Sequence, residues 1–504
     1  MKALGCGDRV IAALFVLATM LLFTNLDSGY LWQDEAETAL LARNTLTFGY
    51  PRMSDGLNDI EEPAHGSGPG EAWIYSSWLP FYLLAGVFAL MGESTWMARF
   101  PFAFLGLVSV YLTWRLAARL TDDVRVQRVS MALLTCSVPF LLHMRQCRYY
   151  ALGTLLLLGV CLAYLEFVSR PSFSRAMGLA VLLALLFHAN FGTFIPAVAA
   201  VCLHQAGWGS RATRWRCGVA MGVVAALTIS WATFFYQPTF IGTMSLHRAY
   251  RHLEYYLRGT NQYFIPAAFM MVTSVGLALM DRWTRFRSAV RPLAPSIRWF
   301  LILMVGLQAA FLLLPDQRHL RYLLPVFPLL AIGEAWWLVS LGLTLRWRWV
   351  GWAVAVLALG TTALQSLHPT VPLADFAYEL THRYAGPMEG VVGYLRAHGK
   401  PGQVVKIPYD DRTVMFYTSM KVERPSEFLR ETSPDWVVIR RDWIPASFFE
   451  SAYFSRIRAT YERIELDAPD ASWQNREDPG EHHFRTVTDA PRVVVYRKRE
   501  PAHG

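Results

Sequence analysis

Charge is scarce in this chain. Asp, Glu, Lys and Arg make up 17% of its 504 residues, where a soluble domain carries about 25%. The shortage is uneven. Up to about Leu367 apolar runs alternate with short polar links, and from His368 onward charge is ordinary. A single soluble globule is therefore excluded. The pattern predicts a membrane domain over 1–367 and a smaller water-soluble domain over 368–504. Cysteine is scarce too. Cys6, Cys136, Cys147, Cys161, Cys202 and Cys217 lie in or beside apolar spans, and the C-terminal domain has none. That leaves neither a disulfide framework nor a cysteine metal motif. The absence of a glycine-rich nucleotide loop argues against a cytosolic nucleotide as direct donor. There is no His-x-x-x-His, no Asp-x-Asp and no internal repeat.

What the chain has is apolar length. Spans are expected at Val10–Leu26, Trp96–Leu120, Val129–His143, Ala151–Val168, Ala176–Phe187, Phe191–Leu203, Val219–Tyr236, Phe264–Met280, Trp299–Leu314, Tyr322–Leu341 and Val350–Leu367. These make about eleven crossings of a hydrocarbon core about 30 Å thick. The net charge of +9 and the pI near 9.3 would suggest nucleic acid in a soluble protein. Here many arginines sit in short links such as Arg115–Arg128 and Arg282–Arg298, so topology explains the excess and no nucleic-acid partner is expected. With these links cytoplasmic, the N-terminus is an uncleaved cytoplasmic anchor of a multi-pass protein of the cytoplasmic membrane. The C-terminal domain then lies in the periplasm or outside the cell. Trp78–Met91 is short and begins Trp-Leu-Pro, and it reads as a half-inserted interfacial helix.

The polar elements gather on the outer face. The first outer loop, 27–96, opens with Asp34-Glu35, at the start of a helical stretch over Gln33–Thr47 in which Glu37 and Arg43 are available to water. Carboxylates are costly in hydrocarbon, so this pair faces water or a polar cavity. Two readings stay open: acids favoured by the positive end of a helix, or a catalytic acid/base group. Glu71 follows a flexible glycine-rich stretch, 65–70, and reads as a loop acid or a second catalytic carboxylate. Asp34 with Glu71 could hold Mg²⁺ or Mn²⁺ through oxygen ligands.

Outer-side arginines run against the positive-inside rule and need a reason. Arg145 and Arg148 lie at the end of one span. Arg318, His319 and Arg321 crowd a very short loop, and the loop Gln237–Gln262 adds His247, Arg248, Arg251, His252 and Arg258. A planar fork of donors suits phosphate; snorkelling to anionic lipids is the alternative. The C-terminal domain reads as mixed α/β. Strands are expected at Val404–Pro408, Trp436–Arg440, Ile464–Asp467 and Val493–Tyr496, and a helix at Met388–His398.

Four motifs occur in order: Trp32-Gln33-Asp34-Glu35 after the first span, Gly92–Pro101, Arg148-Tyr149-Tyr150-Ala151-Leu152, and Arg321-Tyr322-Leu323-Leu324-Pro325. Together they resemble the polyprenyl-phosphate-dependent glycosyltransferases of the GT-C superfamily, in particular the protein O-mannosyltransferases and the lipid A aminoarabinose transferases. Gly153 and Thr154 stand where many relatives carry an aspartate. Ala72-Trp73 replaces a Lys-Pro or Pro-Pro of the first loop.

The resemblance implies an α-helical polytopic membrane protein with an outer cavity and a small extracytoplasmic α/β domain. It implies a lipid-linked sugar donor and a glycan, lipid or protein acceptor among the membrane lipids. Asp34, Glu35 and Glu71 become the catalytic candidates. Arg145, Arg148, Tyr149, Arg318, His319, Arg321 and Tyr322 become the donor-phosphate set. The expected activity is inverting sugar transfer; the alternative is a transporter or flippase of lipid-linked sugars.

Overall fold

The computed structural model describes residues 6–60, 68–234, 245–264, 293–344, 372–471 and 482–499. The expected span Val350–Leu367, and Phe264–Met280 apart from Phe264, lie outside the described residues. In chain order the helices are α1 (Cys6–Phe23), α2 (Gln33–Phe48), α3 (Leu79–Met91), α4 (Thr95–Leu120), α5 (Val124–Thr135), α6 (Val138–Met144), α7 (Tyr150–Ser169), α8 (Phe173–Ala189), α9 (Phe191–Trp208), α10 (Arg211–Phe234), α11 (Leu246–Tyr263), α12 (Pro295–Phe311), α13 (Phe327–Thr344), α14 (Pro372–Thr381), α15 (Pro387–His398), α16 (Asp411–Tyr417), α17 (Ala446–Phe449) and α18 (Ala452–Thr460).

Among the described residues, four segments are long and apolar enough to cross a bilayer: α4, α7, α10 and Leu320–Ser340. A fifth is the pair α5 and α6, bent by 63°. The sequence suggests one straight span over Val129–His143. Pro139 explains the difference: it sits in the first turn of α6 and lacks the N–H a continuous helix would need. The apolar part of α1, α3, α8 and α12 are shorter. At 13 residues, α3 is about 20 Å long, well short of a hydrocarbon core of about 30 Å.

The chain divides into two compact units, one of Met1–Thr24, Phe102–Arg145 and Tyr149–Ala377, the other of Asn25–Pro101, Gln146–Arg148 and Tyr378–Gly504. In the first, α5 packs on α13, α8 on α7 and α10, and α9 on α12. Buried small residues on α8, Ala176, Ala180 and Ala184, let its neighbours approach closely. One polar cluster sits among these helices: the Tyr164 hydroxyl and His204 Nδ1 are 2.6 Å apart, and His204 Nε2 lies 2.9 Å from Ser296 Oγ. The stretch expected as a loop over Gln237–Gln262 contains α11. Ser245 caps it by accepting from the Arg248 N–H, and His252 and Tyr256, one turn apart, are buried on one face.

In the second unit α2 packs against α3 and α16. Five strands form a sheet in the order β2-β1-β3-β5-β4: β1 (Val404–Lys406), β2 (Lys421–Val422), β3 (Trp436–Ile439), β4 (Tyr461–Pro469) and β5 (Arg492–Lys498). β1 pairs in parallel with β2 and β3, whereas β5 runs antiparallel to β3 and β4. The four expected strands and the helix expected at Met388–His398 are present within a few residues. β2, two residues long, carries no periodicity by which the sequence announces it.

Candidate functional site

The site is built on the N-terminal turn of α2, where three acids fall within four residues. Their fates differ. Glu35 is fully buried. Its Oε1 accepts from Arg99 Nε at 2.9 Å and from the Cys147 N–H at 2.8 Å; its Oε2 accepts from Arg99 Nη2 at 2.7 Å. Arg99 also donates to the carbonyls of Leu26, Ser28, Gly29 and Tyr30. This two-pronged pair pins the loop that enters α2 and uses up the donors and acceptors of both groups. Burial, with Glu35 adding to it, pushes the Cys147 thiol well up.

Glu37 is buried as well, contrary to the expectation that it meets water. Its Oε1 accepts from Arg148 at 2.9 Å, and its other oxygen pairs with Arg412 of α16. Asp34 stands one step outside this chain of charges. Its Oδ2 lies 3.4 Å from Arg148 Nη2, and its side chain keeps 21% exposure. Arg148 further donates to the Asp34 carbonyl at 2.9 Å and to Thr38 Oγ1 at 3.2 Å, so its guanidinium is fixed from several directions.

α16 positions Arg412 because its own turn is anchored on the strand leading into α2. The Thr413 hydroxyl donates to the Leu31 carbonyl at 2.8 Å, Gln33 Nε2 to Asp411 Oδ1 at 2.6 Å, and the Leu31 N–H to the Tyr417 hydroxyl at 3.0 Å. Burial raises the Asp411 carboxyl above its ordinary range, against the pull of Arg412 and Gln33. Burial also pushes the Tyr417 phenol up to about 12.

Glu71 is placed differently. It belongs to a short 3₁₀ turn, Pro69–Glu71, where Gly70 and Glu71 both have positive φ. Its Oε2 accepts from both Arg52 Nε, at 2.8 Å, and Arg52 Nη2, at 2.6 Å, with half its side chain exposed. Among the described residues no group of three or more His, Cys, Asp or Glu could hold a metal ion. Asp34 and Glu71 each face an arginine, so this donor set does not fit a resident divalent cation.

The remaining candidates lie in the other unit. Arg145 donates to the carbonyls of Leu21, Leu22 and Thr24 at 3.0, 3.0 and 2.9 Å, which satisfies the open carbonyls at the end of α1. Tyr149 and Tyr150 have ring centroids 4.3 Å apart. Arg321 lies over the Tyr150 ring at 5.9 Å and the Tyr322 ring at 5.8 Å, and His319 meets Tyr322 edge-on. Arg318 lies over Tyr255 at 5.4 Å. The structure thus gathers Arg321, Tyr150, Tyr322 and His319 into one aromatic–cationic group. Of the α11 cations, Arg248 pairs with Asp316. Arg52 and Arg412 belong to no motif in the sequence, and Arg99 stands in the Gly92–Pro101 motif with nothing to mark it as the partner of Glu35.

The comparisons agree with this architecture. Residues 76–234 match the family model described as Dolichyl-phosphate-mannose-protein mannosyltransferase. ArnT from Cupriavidus metallidurans in the apo state is 13% identical over 98% of this chain and 98% of that chain, with a TM-score of 0.57. The same protein bound to undecaprenyl phosphate gives 12%, 98%, 98% and 0.53. An oligosaccharyltransferase from Archaeoglobus fulgidus, in complex with Zn and sulfate, is 13% identical over 85% of this chain and 67% of that chain, with a TM-score of 0.52. No curated protein sequence matches the chain. The chain shares the fold of these structures, and the likeness to ArnT extends over nearly its whole length.

Proposed function

We propose that the protein is a membrane glycosyltransferase that moves a sugar from a polyprenyl-phosphate donor to a hydroxyl acceptor with inversion, and that Asp34 is its general base. One observation carries the assignment of the base. Of the three acids in the first turn of α2, Asp34 keeps 21% exposure, while Glu35 and Glu37 keep 0% and 6% in closed ion pairs. A group that takes a proton from substrate must be reachable by it. The fold shared with an ArnT structure that holds undecaprenyl phosphate supports the donor class.

In the proposed reaction the acceptor oxygen attacks the anomeric carbon while its proton passes to the Asp34 carboxylate. The bond from that carbon to the phosphate oxygen breaks, and the lipid leaves as polyprenyl phosphate. A phosphate is a weak base and needs cations rather than an acid; Arg148, beside Asp34, is the group proposed to serve it. Arg148 holds the Asp34 side chain in one orientation and is itself held by Glu37 and, through it, by Arg412. Glu71, engaged with Arg52, is proposed to position the acceptor. The orientation follows the arginine-rich links: first loop and C-terminal segment outside the cytoplasmic membrane.

Incubating the purified protein with labelled polyprenyl-phosphate sugars and candidate acceptors tests this. Transfer liberates polyprenyl phosphate. A flippase would relocate the lipid-linked sugar and leave it whole, and that result would replace the reading.

A further inference from the structure

A concavity lies in the sheet region, formed by residues without a part in the proposed chemistry. Cross-strand register places Ile439 opposite Val494 on β3 and β5, Val494 opposite Glu465, and Tyr496 opposite Arg463 on β4. Opposed residues share a face of a sheet, and Phe448 and Phe454 from α17 and α18 pack on this one. Between those helices and the strands lies a cavity of about 450 Å³. Its floor is apolar and aromatic, with Ile439, Phe454, Val494 and Tyr496 all buried. Its rim carries three exposed guanidinium groups, those of Arg441, Arg458 and Arg463.

We propose that this cavity binds an anionic sugar unit, a saccharide bearing a phosphate or a carboxylate. Three cations at one rim repel one another unless an anion joins them. Glu465 pairs with Arg463 at 2.7 Å; among the described residues neither Arg441 nor Arg458 has an ion-pair partner. An arginine fork matches phosphate and carboxylate oxygens two at a time. The floor supplies what a bare ion would not use, an apolar surface against which the C–H face of a ring can lie. The volume falls in the range of about 300–1,000 Å³ usual for small-ligand sites. The same chemistry occurs on a soluble glycan and on a lipid headgroup.

The full-length protein in phosphatidylcholine nanodiscs is titrated calorimetrically with glucose 1-phosphate, glucose, inorganic phosphate and a polyglutamate peptide. Glucose 1-phosphate should bind, with glucose and inorganic phosphate each at least about tenfold weaker. The pair Arg441→Ala and Arg458→Ala should weaken it by about tenfold or more. Both side chains are exposed, so the melting temperature should hold. Asp34→Asn should leave the binding untouched, which separates this site from the transfer reading and lets either fail alone. Added phosphatidylinositol that competes with glucose 1-phosphate identifies a headgroup source, and no competition identifies a soluble glycan; both support the site. Undiminished binding in the double variant, equal binding of inorganic phosphate, or preference for the acidic peptide would overturn it.

Discussion

Glu37 of α2 and Arg412 of α16, 375 residues apart in sequence, form a buried ion pair. The pair ties the first turn of α2, which carries Asp34, to the C-terminal part of the chain. The other Glu37 oxygen holds Arg148, which in turn faces Asp34. The C-terminal segment thereby acts on the candidate base through two intermediates, without touching it.

Replacing Arg412 by Leu strands part of the charge on Glu37. Removal of one partner of a buried pair costs about 3–5 kcal/mol; Arg148 still faces Glu37, so a loss near 3 kcal/mol is expected. Thermal melting in detergent checks it. Adding Glu37→Gln should recover part of the loss, because the uncompensated charge is then gone.

Glu35→Gln should act on stability before chemistry. The residue is fully buried and closes a two-pronged pair with Arg99, so a fall of about 3 kcal/mol is expected. Turnover per folded molecule should drop far less than in Asp34→Asn. Melting curves read beside activity normalised to folded protein separate the two effects.

Glu71→Gln should change stability by less than about 1 kcal/mol, because its pair with Arg52 is exposed. A raised KM for acceptor with little change in kcat is the outcome expected for a positioning group. A variant with wild-type kinetics removes Glu71 from the site.

How much of this was written in the sequence depends on the range of the interaction. α2, α15, β3 and β5 were legible because each follows from residues a few positions apart: a helical pattern or a short continuous apolar run, with a proline or glycine near an end. The place of Asp34 in the first turn of α2 was legible for a similar reason, a carboxylate set straight after an apolar run. Glu37 was misread as facing water, since its surroundings come from Arg148 and from Arg412, and no local pattern announces a partner hundreds of residues away. The bend between α5 and α6 falls at Pro139, inside an apolar run long enough to read as one span. The shared unit formed by Asn25–Pro101 and Tyr378–Gly504 is of the same long-range kind. It is stitched by pairs such as Asn58 with the backbone of Met420 and Val422.

Asp411 gives a pH signature. Burial raises its carboxyl above the ordinary value of 3.8, so the folded state binds the proton more readily than the unfolded chain. Its contribution to stability is full below about pH 3.8 and is lost as pH rises through the raised value. Asp411→Asn, which keeps an acceptor for Gln33, should therefore gain stability relative to the parent as pH rises through that window. Melting temperatures across the acid range check the slope; parallel curves would contradict it.

The most direct test concerns Asp34 itself. Purified wild-type and Asp34→Asn proteins are given the same labelled polyprenyl-phosphate sugar and acceptor, and released polyprenyl phosphate is measured. The general-base assignment predicts a fall of about 10²–10⁴-fold, with an unchanged melting temperature because the side chain is partly exposed and its neighbours hold one another. Release at the wild-type rate by the asparagine variant would contradict it.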